Sequence, residues 1–176
     1  MAQAMENMTA VTWEEANQGY LQAELRRLRL LFRRKVRWLR RNWRQDHLAS
    51  NHGMVISDAL ADRLLDGEDE GEESRFYQSD EESRAITQAL EEMEAGIAIL
   101  RQRLTEEGGL SSLEALTRSF GLNPFERDAL LLCFAIEEDP AFATLCAYVQ
   151  DDVNARYATP HLALSVLCQS REDRGS

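Results

Sequence analysis

Each of the three prolines in this chain follows a residue that can cap a helix. Asn123 precedes Pro124, Asp139 precedes Pro140 and Thr159 precedes Pro160. A side-chain oxygen accepts from the first-turn amides, and the proline's missing N–H is not needed there, so each pair marks a helix start. Glu126, three places after Asn123, can reach back to complete a capping box. Between the first two starts runs Ala129-Leu130-Leu131-Leu132-Cys133-Phe134-Ala135-Ile136, apolar on every side. A helix apolar all round is expected to be buried all round, or nearly so. The segment 120–153 should therefore form the centre of a small helical core.

The remaining punctuation is also helical. Thr12 and Glu15 make a capping-box pair, and no proline interrupts the chain from there to about Leu48. Leu25, Leu28, Phe32, Val36, Leu39 and Trp43 recur at steps of three and four, the period of an amphipathic helix. At about 1.5 Å per residue it would be roughly 50 Å long, and it needs a partner of similar length. Ser79 with Glu82 starts that partner. Ile86, Leu90, Met93, Ile97, Leu100 and Leu104 then follow as a near-heptad seam, and Gly108-Gly109 ends it. Between the two, Val55–Leu65 is expected to be a short helix begun by Ser57. The acidic stretch that opens DGEDEGEE is expected to be a mobile loop over 66–78. Ser111 with Glu114 starts another short helix, which Gly121 stops.

The predicted class is all-α: a long antiparallel helical hairpin, 12–109, and a compact four-helix unit, 110–170. A disordered N-terminus, 1–11, precedes them and a polar tail, 171–176, follows. Only 9 glycines supply turns, which disfavours a strand-rich fold.

The segment FGLNPFERDALLLCFAIEEDPAFATLCAYVQDDV with TPHLALSVL resembles the winged-helix-like region at the front of a family of bacterial AAA ATPases, whose members occur beside contractile injection systems. The opening WEEANQGYL is similar to the start of the same proteins. The resemblance covers 110–167 and, at the front, 12–48. It implies a non-catalytic N-terminal docking or regulatory domain that makes protein–protein contacts, with injection-system components or neighbouring ATPase subunits as partners. ATP and Mg belong, by the same implication, only to a module downstream of residue 176. A winged helix also needs a small hairpin. No two-residue glycine turn lies between alternating apolar runs, so any wing is degenerate or lies further on.

Charge is distributed unevenly about a net −11. Ten cations crowd the first helix: Arg26, Arg27, Arg29, Arg33, Arg34, Lys35, Arg37, Arg40, Arg41 and Arg44. Three readings stay open. Acids of the seam helix (Glu81, Glu82, Glu91, Glu92, Glu94) can match them across the hairpin. An external protein can use Arg33, Arg37, Arg40, Arg41 and Arg44 with Trp38 as a contact face. Nucleic acid or another anionic surface can bind the same helix. The segment Ala141–Asp152, where a groove-reading helix would lie, has no Lys or Arg and ends in two aspartates, so protein rather than DNA is its expected partner. Asp151 and Asp152 are unusual at a helix C-terminus. With Arg127 and Arg156 they are expected to form either a structural ion pair or an interdomain contact surface.

Catalytic, cofactor and metal sites are not expected. There is no phosphate loop, no GxGxxG after a strand and no HExxH. His47 and His52 with Asp46 form a poor metal set, and His161 stands apart. Cys133, Cys146 and Cys168 read as small buried hydrophobes of a reducing, cytoplasmic protein. No apolar run approaches the roughly 20 residues that span a membrane. A coiled-coil scaffold dimerising through the Ile86–Leu104 seam is a further reading, so an oligomer is possible on these grounds.

Overall fold

The computed structural model describes residues 12–49, 71–106 and 108–168, with backbone alone for 45–49. Seven α-helices and no strand occur among them: α1 Trp13–Ala49, α2 Glu72–Ser79, α3 Glu81–Glu106, α4 Ser112–Phe120, α5 Pro124–Glu138, α6 Pro140–Val149 and α7 Pro160–Leu167. No helix of the described residues is long and apolar enough to cross a membrane. The expected helix Val55–Leu65 lies outside them.

The local starts form as the capping chemistry requires. At the head of α1 the Thr12 backbone N–H donates to the Glu15 carboxylate and the Glu15 backbone N–H donates to the Thr12 hydroxyl. Asn123 and Glu126 close a full capping box on α5, while Asp139 and Thr159 cap α6 and α7 behind their prolines. Ser111 caps α4, and Gly121, with φ +63°, ends it in the left-handed conformation. One start differs from the expectation. Asp80, not Ser79, accepts from the Ser83 amide at 2.9 Å. Ser79 closes α2 instead, its hydroxyl donating to the Phe76 carbonyl.

A second correction concerns 66–78. Residues 72–78 belong to α2 rather than to a mobile acidic loop, while 66–70 lie outside the described residues. Two aromatic side chains account for the ordering. Phe76 lies 5.5 Å from Trp38, ring centre to ring centre. The Arg34 guanidinium sits 4.9 Å over the Tyr77 ring, and Lys35 holds Glu73 at 2.9 Å.

α1 and α3 run antiparallel. Arg37 meets Asp80 and Glu82 at one end, and Trp13 meets the Gly109-Leu110 turn at the other. There the indole N–H donates to the Leu110 carbonyl at 3.1 Å. A Cβ on Gly109 would stand 2.8 Å from the Trp13 ring, so a larger residue there would push the indole aside. The α3 seam packs as expected, with Ile86, Leu90, Ile97 and Leu104 buried and Met93 and Leu100 against them. On α1 the most buried line is Tyr20, Leu28, Leu31 and Phe32, shifted from the expected stripe. Val36, Leu39 and Trp43 are only half-buried.

The core is continuous across residue 109. Phe32 meets Phe142 edge to face at 5.9 Å, and Leu131, Leu132, Ala135, Cys146, Leu162 and Val166 join the same cluster. α1 is thus shared by the hairpin and the α4–α7 unit. Two of its apolar-phase positions on the side that meets α4 and α5 are charged. Glu24 and Arg27 are buried, with Glu24 only 1% exposed.

These two charges are satisfied by α4 and α5. The Arg127 fork donates to Glu114 Oε1 at 3.1 Å, Asp128 Oδ1 at 2.8 Å, the Tyr20 hydroxyl at 2.6 Å, and Glu24. Arg27 bridges Glu24 at 2.9 Å and Asp128 at 2.6 Å. Tyr20 donates to Glu114 at 2.7 Å. Burial, with the Glu114 and Glu24 carboxylates, pushes the Tyr20 phenol above its ordinary range, so it remains a donor. Burial opposes ionisation of Glu24, but Arg27 and Arg127 together hold its carboxyl below the usual 4.5.

Removing one member of a buried ionic group strands the others at a cost of about 3–5 kcal/mol. Arg127→Met should lower unfolding stability by about that amount in urea titrations, and Arg127→Lys should not restore it, because an ammonium lacks the planar fork. The sign of the pH effect follows from Glu24. Its folded value is depressed, so its contribution is fully present above pH 4.5 and lost as pH falls below it. Urea midpoints should drop below pH 4.5, and less steeply in Glu24→Gln.

Candidate interaction surface

The arginine-rich face of α1 is mostly occupied from within. Arg37 forks onto Asp80 at 2.5 and 2.8 Å and also pairs with Glu82. Arg33 stands 3.9 Å from Glu82, and Arg41 stands 3.6 Å from Glu72 while lying over the Trp38 and Phe76 rings. Arg40 donates to the Tyr148 hydroxyl, and Arg44 to the Arg40 carbonyl. Arg29 pairs with Asp139 and covers the Phe142 ring at 5.0 Å. Charge matching within the chain is therefore what α1 does, but chiefly with Glu72, Glu73, Asp80 and Glu82 rather than Glu91 and Glu92. Trp38 is only 8% exposed, so it belongs to the hairpin interior and not to an outward face.

The four residues considered for an interdomain contact are not brought together. Arg127 points into the buried network. Asp151 takes φ +51°, in the left-handed region, and ends α6, a conformation that aspartate tolerates better than most residues. Asp152 accepts from the Asn154 amide at 2.8 Å. Arg156 donates to the Thr144 hydroxyl. No ion pair joins Asp151 or Asp152 to either arginine among the described residues. The loop after α6 is held by Gln150, whose amide nitrogen lies within reach of the Cys146, Ala155 and Tyr157 carbonyls. Its carbonyl oxygen accepts from Thr159 at 2.6 Å.

α6 is the helix that a groove-reading mode would need free. Instead, Phe142 and Cys146 are buried, and Tyr148 packs against Trp43 at 5.1 Å. Burial pushes the Cys146 thiol up to about 11. Its outward residues include Ala141 and Thr144, neither of which carries charge.

α5 departs most from expectation. It is not buried all round. Leu131, Leu132 and Ala135 enter the core, while Leu130 is 37% and Phe134 39% exposed and Cys133 is exposed beside them. The neighbouring α4 leaves Phe120 73% exposed and Leu116 outward. Large apolar side chains grouped on one helix face are a common mark of a protein-contact surface. Four helices, α1, α4, α6 and α7, contact α5 and leave this side open, which only their placement decides.

A cleft of about 1380 Å³ opens between the hairpin and α5 and α7, walled by Arg34, Tyr77, Arg84, Glu91, Glu94 and Asp128. Its charges are of both signs. No cluster of His, Cys, Asp and Glu able to hold a metal occurs among the described residues. Asp46, His47 and His52 fall outside the described side chains, and His161 is exposed.

A family model described as "Winged helix domain, variant" matches residues 15–176. No curated protein and no solved structure matches the chain.

Neighbouring leucines should separate packing from exposure. Leu131→Ala should cost about 2–5 kcal/mol in urea unfolding. Leu130→Ser and Phe134→Ser, on the half-exposed side, should each stay below about 1 kcal/mol.

Proposed function

The chain belongs to the variant winged helix domain family, and from that premise we propose that it is a protein-docking module and not a nucleic-acid reader. The observation that carries this reading is a contrast between two surfaces. Most of the α1 cations are paired with acids of this chain, chiefly those of α2, the start of α3 and the start of α6, whereas the apolar face of α5 is left uncovered. A DNA-binding winged helix needs the opposite arrangement, with a free basic helix and phosphate-binding cations around it. Here α6 is packed on α1 and has no Lys or Arg.

The host we propose is an AAA-type ATPase that works beside a contractile injection system, with this domain holding partners while a separate module binds ATP and Mg in the cytoplasm. What supports this finer reading is the resemblance of 110–167, and of the WEEANQGYL opening, to the front region of such proteins. The domain's own part is positional. The α1–α3 hairpin carries the α5 face, and the buried network around Arg127 fixes the angle between them.

Duplex DNA binding tests the choice of partner. Measured by fluorescence anisotropy at about 0.15 M salt, affinity should be no tighter than the micromolar range of nonspecific contacts. Nanomolar, sequence-selective binding would overturn the proposal. Phosphate release by the purified chain incubated with ATP and Mg should stay at the uncatalysed background, and turnover would contradict a purely docking role.

A further inference from the structure

The outer face of α5 has a pattern beyond its exposure. Glu126, Leu130, Cys133, Phe134 and Glu137 recur at steps of four, three, one and three, so they form one stripe along the helix. All five are exposed. An apolar centre little more than one turn long, Leu130 to Phe134, thus has a carboxylate in the turn before it and another in the turn after it, with Glu138 beside the second.

These carboxylates differ from those of the hairpin. Glu72, Glu73, Asp80 and Glu82 each face a cation of α1. Among the described residues no cation pairs with Glu126, Glu137 or Glu138. Among the described residues the Glu126 carboxylate accepts from the Asn123 backbone N–H alone, at 2.9 Å, within the capping box. The acids that face the cations of α1 are matched, whereas those at the two ends of the open apolar face have no cation partner among the described residues.

We propose that this face binds a basic amphipathic helix of a partner protein: apolar residues about one turn apart, flanked at both ends by Lys or Arg. The apolar residues of such a helix lie over Leu130, Cys133 and Phe134, and its cations meet Glu126 and Glu137. Helix-on-helix docking of this kind draws affinity from the apolar anchors, while the flanking charges set register and exclude wrong partners. Other occupants fit poorly. Nucleic acid or an anionic lipid surface is repelled by the same carboxylates. A second copy meeting stripe to stripe brings carboxylate against carboxylate. The assignment rests on the docking reading above and adds the chemistry of the partner.

Cys133 lies in the middle of the stripe and reports its occupancy. The probes are two designed helical peptides of about 16 residues, with the same Leu and Phe anchors and either Lys or Glu at both ends. Binding is read by fluorescence anisotropy, and coverage by the rate at which N-ethylmaleimide alkylates Cys133, followed by mass spectrometry. The Lys peptide should bind about tenfold or more tighter than the Glu peptide and slow alkylation of Cys133. Phe134→Ser and, separately, Leu130→Ser should each weaken the Lys peptide by about tenfold or more. The double variant Glu137→Lys with Glu138→Lys should remove or invert the preference. Equal protection by both peptides overturns the basic-partner assignment and leaves the docking face standing. Protection by neither overturns the docking reading itself. Protection that grows with the chain's own concentration, without peptide, assigns the face to a second copy and likewise overturns the proposal.

Discussion

The buried ion and hydrogen-bond group around Arg127 is the constraint that joins the fold. It ties Tyr20, Glu24 and Arg27 of α1 to Glu114 of α4 and Asp128 of α5. Three carboxylates face two guanidiniums and one phenol, all largely withdrawn from water. Desolvating such a set is costly, so it persists only where nearly every donor finds an acceptor. Apolar contacts such as Phe32 with Phe142 tolerate small shifts in helix placement. The fork of Arg127 does not, because its donors lie in one plane and have fixed directions. The network therefore sets the angle at which α4 and α5 meet α1.

That angle has a functional consequence. With Leu131, Leu132 and Ala135 turned into the core and Arg127 turned toward Glu114, the opposite side of α5 faces outward. The same arrangement draws α6 onto α1 through Phe142 and the Trp43–Tyr148 pair. The helix that could have read a groove is thus consumed by packing, and the helix expected to lie wholly inside presents Leu130 and Phe134. Electrostatics act in the same direction. Most α1 cations are paired within the chain, and the net charge of −11 disfavours phosphate and favours a basic protein surface.

Much of this was legible in the residues. Capping pairs such as Asn123 with Glu126, and Asp139 or Thr159 before proline, depend on atoms within four positions, so the sequence contains the whole interaction. The α3 seam was legible for a similar reason, since one helix face against one partner preserves a simple period. The buried network was harder to see. Glu24 and Arg27 sit in phase with Tyr20, Ala23, Leu28 and Leu31, which was a usable signal, but their partners lie about a hundred residues away. The arginines around Trp38 suggest an outward face, yet Phe76 and the Arg41 guanidinium enclose it. Phe76 and Tyr77 likewise stand in an acidic stretch whose overall charge suggests only a loop.

The amino-acid sequence by itself determined where most helices begin and end and that the chain is all-α, because capping, proline placement and helical period are short-range properties. Tertiary structure alone decided which carboxylate each arginine meets, which charges are buried, and which side of α5 remains open. Those outcomes depend on where helices distant in sequence come to lie, and an apolar run carries no mark of which of its sides a neighbour will leave uncovered.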